Sequence, residues 1–128
     1  MRVIYSLICK SFEHEVTHLD IHGVVSGVVH GPDLELRFLT QILCTVEDNG
    51  QHLFRVVAHS QGAEPQLIAS HPFNLNLGPS EVKTVILSDS FNLGKESIDR
   101  QVWIEYRCWL DDKQVAGIPL MVDPPTLG

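Results

Sequence analysis

The string His14-Glu15-Val16-Thr17-His18 matches the pattern His-Glu-x-x-His, in which two imidazoles hold zinc and the glutamate acts as general base. That chemistry needs a helix, because the i, i+4 spacing turns both rings toward one metal only there. Ser11 offers a cap, and Phe12, Val16 and Leu19 fall on one helical stripe. Three features oppose the helix. The segment is short, Val16 and Thr17 are β-branched, and the chain runs directly into an alternating pattern at Leu19 and Ile21. A third histidine ten residues after the first, found in one zinc-peptidase branch, would fall on Val24, and seven histidines in 128 residues make a chance match easy. The segment reads as an exposed turn between two strands. The alternative is a small zinc-dependent hydrolase using His14, Glu15 and His18.

Read as a strand, the same region puts His18, Asp20 and His22 on one outward face. Their spacing separates the two histidine Cα atoms by ~13 Å, too far for zinc–nitrogen bonds of ~2 Å to gather both. Asp20 with one histidine can contribute to a site only if other segments complete it. His30, His52, His59 and His71 are scattered and read as surface or turn residues. Ser60, Ser88, Ser90 and Ser97 lie near turn signals, but no Gly-x-Ser-x-Gly elbow, phosphate loop or dinucleotide glycine pattern is present. No catalytic residue, metal ligand or cofactor is assigned from the sequence.

A different row stands out. Trp103, Glu105, Arg107 and Trp109 alternate with Val102, Ile104, Tyr106 and Cys108, so on a strand both tryptophans share a face with two opposite charges. With the aliphatic row inward, this comb faces out. Arg107 can pair with Glu105 and stack on an indole, and exposed aromatic and arginine groups are the composition of interface hot spots. They also suit flat sugar rings. The bland reading is a second small core, with a loop or the chain tail over Trp103 and Trp109. The sequence-level expectation is a non-enzymatic binding or assembly module, homo-oligomeric or holding a protein partner. A carbohydrate-binding sandwich is the further alternative, and any small-molecule ligand stays unidentified.

What must position these residues is a set of strands. Leu34, Leu36, Phe38, Thr40, Ile42, Cys44 and Val46 alternate with a more polar row from Asp33 to Glu47, which makes a long half-buried strand. Val3, Tyr5, Leu7 and Cys9 form another inward row. So do Leu19, Ile21, Val25 and Val29; Phe73, Leu75 and Leu77; Val102 to Leu110; and Ile118, Leu120 and Val122. Asp48-Asn49-Gly50 signals a hairpin; Gln61-Gly62, Gly78-Pro79-Ser80, Asn92-Leu93-Gly94 and Asp111-Asp112 mark further reversals. Gly117 and Pro119 suggest a bulge on a final edge strand. About eight short strands without a helical period predict an all-β, single-domain antiparallel β-sandwich over residues 1–128, with 123–128 leaving the sheet as a frayed tail.

Composition narrows the class. Asp and Glu number 16 against 9 Lys and Arg, a formal net charge of −7, which repels phosphate backbones and anionic headgroups and argues against nucleic-acid or membrane binding. No run approaches the ~20 apolar residues needed to span a bilayer. Val3 to Cys9 is at the lower limit of a signal-peptide core, with no small-residue cleavage site after it. Cys9, Cys44 and Cys108 are odd in number and far apart, so they read as buried free thiols in a reducing, cytoplasmic setting.

The order of segments resembles a family of small bacterial β-sandwich domains of unassigned function. The likeness lies in the opening strand Val3 to Cys9, the Leu19-Asp20-Ile21-His22-Gly23-Val24 segment, and the closing pair Val102-Trp103-Ile104-Glu105-Tyr106 and Ile118-Pro119-Leu120-Met121-Val122 around Leu110-Asp111-Asp112. It implies the sandwich and no particular chemistry.

Overall fold

A computed structural model describes residues 1–15, 17–25, 27–30, 35–60, 62–92 and 101–123. Among them lie nine strands: β1 Arg2–His14, β2 Leu19–Val24, β3 Gly27–His30, β4 Glu35–Thr45, β5 Gly50–Ser60, β6 Gln66–Leu75, β7 Val82–Asn92, β8 Val102–Leu110 and β9 Lys113–Asp123. They form two sheets, one ordered β2-β1-β4-β7 and the other β3-β9-β8-β5-β6. Every ladder is antiparallel except that of β3 with β9. The all-β two-sheet sandwich is therefore what the chain forms. Leu34, Gln61, Leu93, Gly94 and the tail from residue 124 lie outside the described residues.

The core follows the alternation. Leu36, Phe38, Thr40, Ile42 and Cys44 of β4 are buried, as are Tyr106, Cys108 and Leu110 of β8 and Leu120 and Val122 of β9. Two aromatic pairs join the sheets: Phe38 of β4 lies 6.0 Å from Phe54 of β5, and Phe91 of β7 lies 5.1 Å from Tyr106 of β8. A polar contact crosses the same interior. Thr40 is fully buried, and its Oγ1 lies 2.6 Å from Ser6 Oγ, which also approaches Cys108 Sγ at 3.4 Å. Hydroxyls of this kind satisfy each other without water.

Three expectations are corrected. The inward row Val3, Tyr5, Leu7, Cys9 is broken by a register shift between Val3 and Tyr5. After that bulge Ser6 and Ile8 face the other sheet, because one extra residue flips every later side chain. The hairpin at Asp48-Asn49-Gly50 is not one, since β4 and β5 belong to different sheets. A turn of 3-10 helix, Val46–Asp48, carries the chain across. Asn49 fastens the crossing by accepting the Leu77 backbone N–H at 2.7 Å and donating to the Leu77 carbonyl at 2.9 Å. Finally, the bulge in β9 falls at Val115, between the residues paired with Cys108 and Trp109, while Gly117 and Pro119 stay in register with Arg107 and Glu105; nor is β9 wholly an edge. Residues 120–123 pair with β3, and Pro119, which has no N–H to donate, falls just before that ladder begins.

Among the described residues Asp111 and four glycines have positive φ, and two of these positions matter to the packing and the turns. Gly23, at φ 65°, packs its Cα side against the Lys10 side chain, where a Cβ would approach within 2.9 Å. Asp111, at φ 54°, opens the two-residue reversal between β8 and β9. No helix among the described residues is long and apolar enough to cross a membrane.

Candidate functional site

β8 presents the aromatic and charged comb on the outer face of the five-stranded sheet. Its alternate residues fill the core, so Trp103, Glu105, Arg107 and Trp109 must point the other way. Trp103 is 52% exposed and Trp109 is half-buried. Arg107 Nε donates to Glu105 Oε1 at 2.6 Å, a short charge-assisted bond between side chains two residues apart.

The cross-strand register completes the surroundings. Glu105 sits opposite His59 of β5 and Pro119 of β9, and Trp103 sits opposite Met121. Leu67 of β6, Val57 of β5 and Arg107 lie in one row, and Leu67 is exposed. His59, Ser60, Trp103, Ile104, Glu105, Arg107 and Pro119 line an open depression of 390 Å³. Trp109 lies beyond it, opposite Arg55 and Gln114. The structure thus brings together three members of the comb and leaves out the fourth. Six positions apart along a strand, the two indoles stand ~20 Å apart and do not make one platform. His59, Ser60 and Pro119 were invisible as neighbours in the sequence, because they arrive through the register of three strands.

The helical form of His-Glu-x-x-His is not what the chain builds. His14 closes β1, opposite Leu19 of β2, and the Glu15 backbone N–H donates to the His18 carbonyl at 2.9 Å. His14 ends one strand and His18 stands just before the next, where the helical spacing that zinc-peptidase chemistry needs does not arise. Val16 lies outside the described residues. His18 Nε2 instead stands 3.3 Å from Glu15 Oε2 and 3.5 Å from Asp20 Oδ2.

His52, a partly buried histidine, has a structural part. His52 of β5 directs Nδ1 at Asp111 Oδ2, 2.8 Å away, and Nε2 at the Asp48 carbonyl, 2.6 Å away. Both partners only accept, so the doubly protonated ring is the form that satisfies both bonds. Burial opposes that charge, but the bonds to Asp111 and Asp48 outweigh it and hold the His52 pKa above its ordinary value. Burial likewise pushes the Asp111 carboxyl up, and the bonds from His52 and the Leu53 N–H turn the balance below the usual carboxylate range.

Cys9, Cys44 and Cys108 are free and buried, and burial pushes all three thiols up, the opposite of an activated nucleophile. No protein-family model matches the chain, and no curated protein matches it significantly.

Proposed function

We propose that this protein is a non-enzymatic binding and assembly module that pairs with a second copy of itself through the outer face of its five-stranded sheet. The observation that carries the reading is Trp103, half bare on a rigid central strand, beside the bonded pair Glu105 and Arg107. A large exposed aromatic next to arginine is the composition of a binding anchor. The chain as a whole carries a formal charge of −7, which sets most of its surfaces against one another. This face instead mixes Arg55, Arg107 and Glu105, so two copies related by a two-fold axis can exchange Glu105–Arg107 partners across the contact. Leu67 and Leu53 extend the apolar area on β6 and β5. The free, buried cysteines support action in a reducing compartment, the cytoplasm.

Sedimentation of the intact chain over a micromolar range tests this. A dimer that dissociates at least tenfold more readily in Trp103→Arg is expected; a strict monomer, or an oligomer indifferent to that change, overturns the proposal. The second reading, a carbohydrate ligand, draws on the indole wall and polar rim of the 390 Å³ depression. It predicts saturable quenching of tryptophan fluorescence by a glycan, lost in Trp103→Ala.

A further inference from the structure

Among the described residues, each sheet ends in two strands with one unpaired side: β2 and β7 in the four-stranded sheet, β3 and β6 in the five-stranded one. Such an edge presents a row of N–H and C=O groups on which a further strand can pair, and proteins commonly blunt it. Three of the four are blunted. β3 has only four residues. β2 has six and contains Gly23 at φ 65°. β6 carries Pro72, which has no N–H to donate, and its ladder with β5 slips between Val56 and Val57. β7 has none of these devices. Its eleven residues, Val82–Asn92, include neither glycine nor proline, and its ladder with β4 runs from Glu35–Asn92 to Thr45–Val82 without a register shift. Val82, at 61% exposed, is barer than Trp103.

We infer that β7 pairs along this edge with β7 of a second copy, antiparallel about a two-fold axis at Ile86, so that two four-stranded sheets join into one of eight strands. The strand complements its own reverse about that residue. Val82 meets Ser90, Lys83 meets Asp89, Thr84 meets Ser88 and Val85 meets Leu87, and the symmetry makes each pair twice. Opposite charges, paired hydroxyls and paired apolar side chains are the combinations that stabilise an antiparallel ladder. Lys83 and Asp89 stand six positions apart in an unbroken register, so they share a face. Both are exposed. His71 Nε2 lies 3.6 Å from Asp89, beyond hydrogen-bonding distance, and the Asp89 side chain stays 51% exposed, which leaves the carboxylate open to a lysine from the other copy.

Other registers lose this match. An axis midway between two residues sets inward side chains against outward ones. An axis at Val85 puts Lys83 against Leu87, and an axis at Leu87 puts Asp89 against Val85. The two charges therefore guard the edge against an arbitrary strand and admit the strand's own reverse. In a chain of net charge −7, two such ion pairs also offset the general repulsion between copies. The contact uses the four-stranded sheet, whereas the comb lies on the five-stranded one, so it does not rest on the sheet-face proposal.

The test is sedimentation of the intact chain carrying Trp103→Arg, which removes the sheet-face contact. Expected is a remaining monomer–dimer equilibrium between micromolar and millimolar concentration, weakened at least tenfold by Lys83→Asp and likewise by Asp89→Lys. Mixing these two variants in equal amounts is expected to restore dimers, because each then meets the opposite charge at both positions; uniting both reversals in one chain is expected to do the same. Both positions are exposed, and denaturation curves of the variants serve as the folding control. A Trp103→Arg chain that stays monomeric to millimolar concentration overturns the inference and leaves the edge to a foreign extended segment. Dimers indifferent to Lys83→Asp, or reversed variants that fail to associate on mixing, overturn it as well. An assembly untouched by Trp103→Arg but weakened by Lys83→Asp sinks the sheet-face proposal and upholds this one.

Discussion

The outward rows of β4 and β8 make an instructive pair. On β4 the residues turned away from the opposite sheet are Arg37, Leu39, Gln41 and Leu43; on β8 they are Trp103, Glu105, Arg107 and Trp109. Judged by side chain, the two indoles have more to gain from cover than one leucine. The structure does the reverse. Leu39 is fully buried and Trp103 is half bare. Around Leu39 the four-stranded sheet has a second dry layer, since Cys9 is fully buried too and neither residue belongs to the core between the sheets. Alternation along a strand says which side chains face together, and it is silent on which side stays wet.

The largest test of that contrast is Leu39→Ala. Loss of a buried leucine opens a cavity and is expected to cost about 2–5 kcal/mol in urea unfolding; a loss below about 1 kcal/mol would show the four-stranded sheet's outer face to be as open as the other.

A smaller effect comes from the histidine that pins the five-stranded sheet to the crossing turn. Folding raises the His52 pKa, so its contribution is complete below the unfolded imidazole value of ~6.5 and is lost as pH rises through the folded one. Folding lowers the Asp111 pKa, so that contribution is present above an unfolded value of ~3.9 and is lost as pH falls through the folded one. Together they give a stability plateau between about pH 4 and 6.5. Asp111 is part-exposed, and screening holds the effect to about 1 kcal/mol. Unfolding free energies of the parent should fall between pH 6 and 8.5, and His52→Gln should flatten that slope; an equal slope in both removes His52 as its source.

The smallest effect belongs to the exposed row itself. Trp103→Ala is expected to change the stability of the monomer by less than about 0.5 kcal/mol, as surface positions do. Thermal unfolding at the lowest workable concentration checks this. A drop of 2 kcal/mol or more would mean that the indole is part of the packed interior, and the contrast with Leu39 would vanish.

Much of this was legible in the chain. The β4, β8 and β9 rows could be assigned inward or outward because a clean two-residue period leaves one choice, and the comb on β8 followed from it. The failures have physical causes. In β1 every residue from Val3 to Cys9 except Ser6 is apolar or aromatic, so the pattern carries no phase, and a bulge decided it. Asp48-Asn49-Gly50 has hairpin residues, but the Asn49 amide is spent on the distant Leu77 backbone rather than on its own turn. The neighbours of Glu105 depend on which strands adjoin β8. The approach of His18 to Glu15 as well as Asp20 depends on how β1 meets β2, which a two-residue period does not describe.

The parallel ladder between β3 and β9 joins Gly27–His30 to residues 120–123, across most of the polymer's length. On a ribosome, the segment after β2 would emerge long before the stretch it must lie beside, and would wait unpaired while the intervening seven dozen or so residues (roughly, at 5–20 per second) were added. Closure of that edge is consequently a late event, completed only when synthesis has passed Asp123, and it ties assembly of this small sandwich to the slow, long-range class of folding reactions.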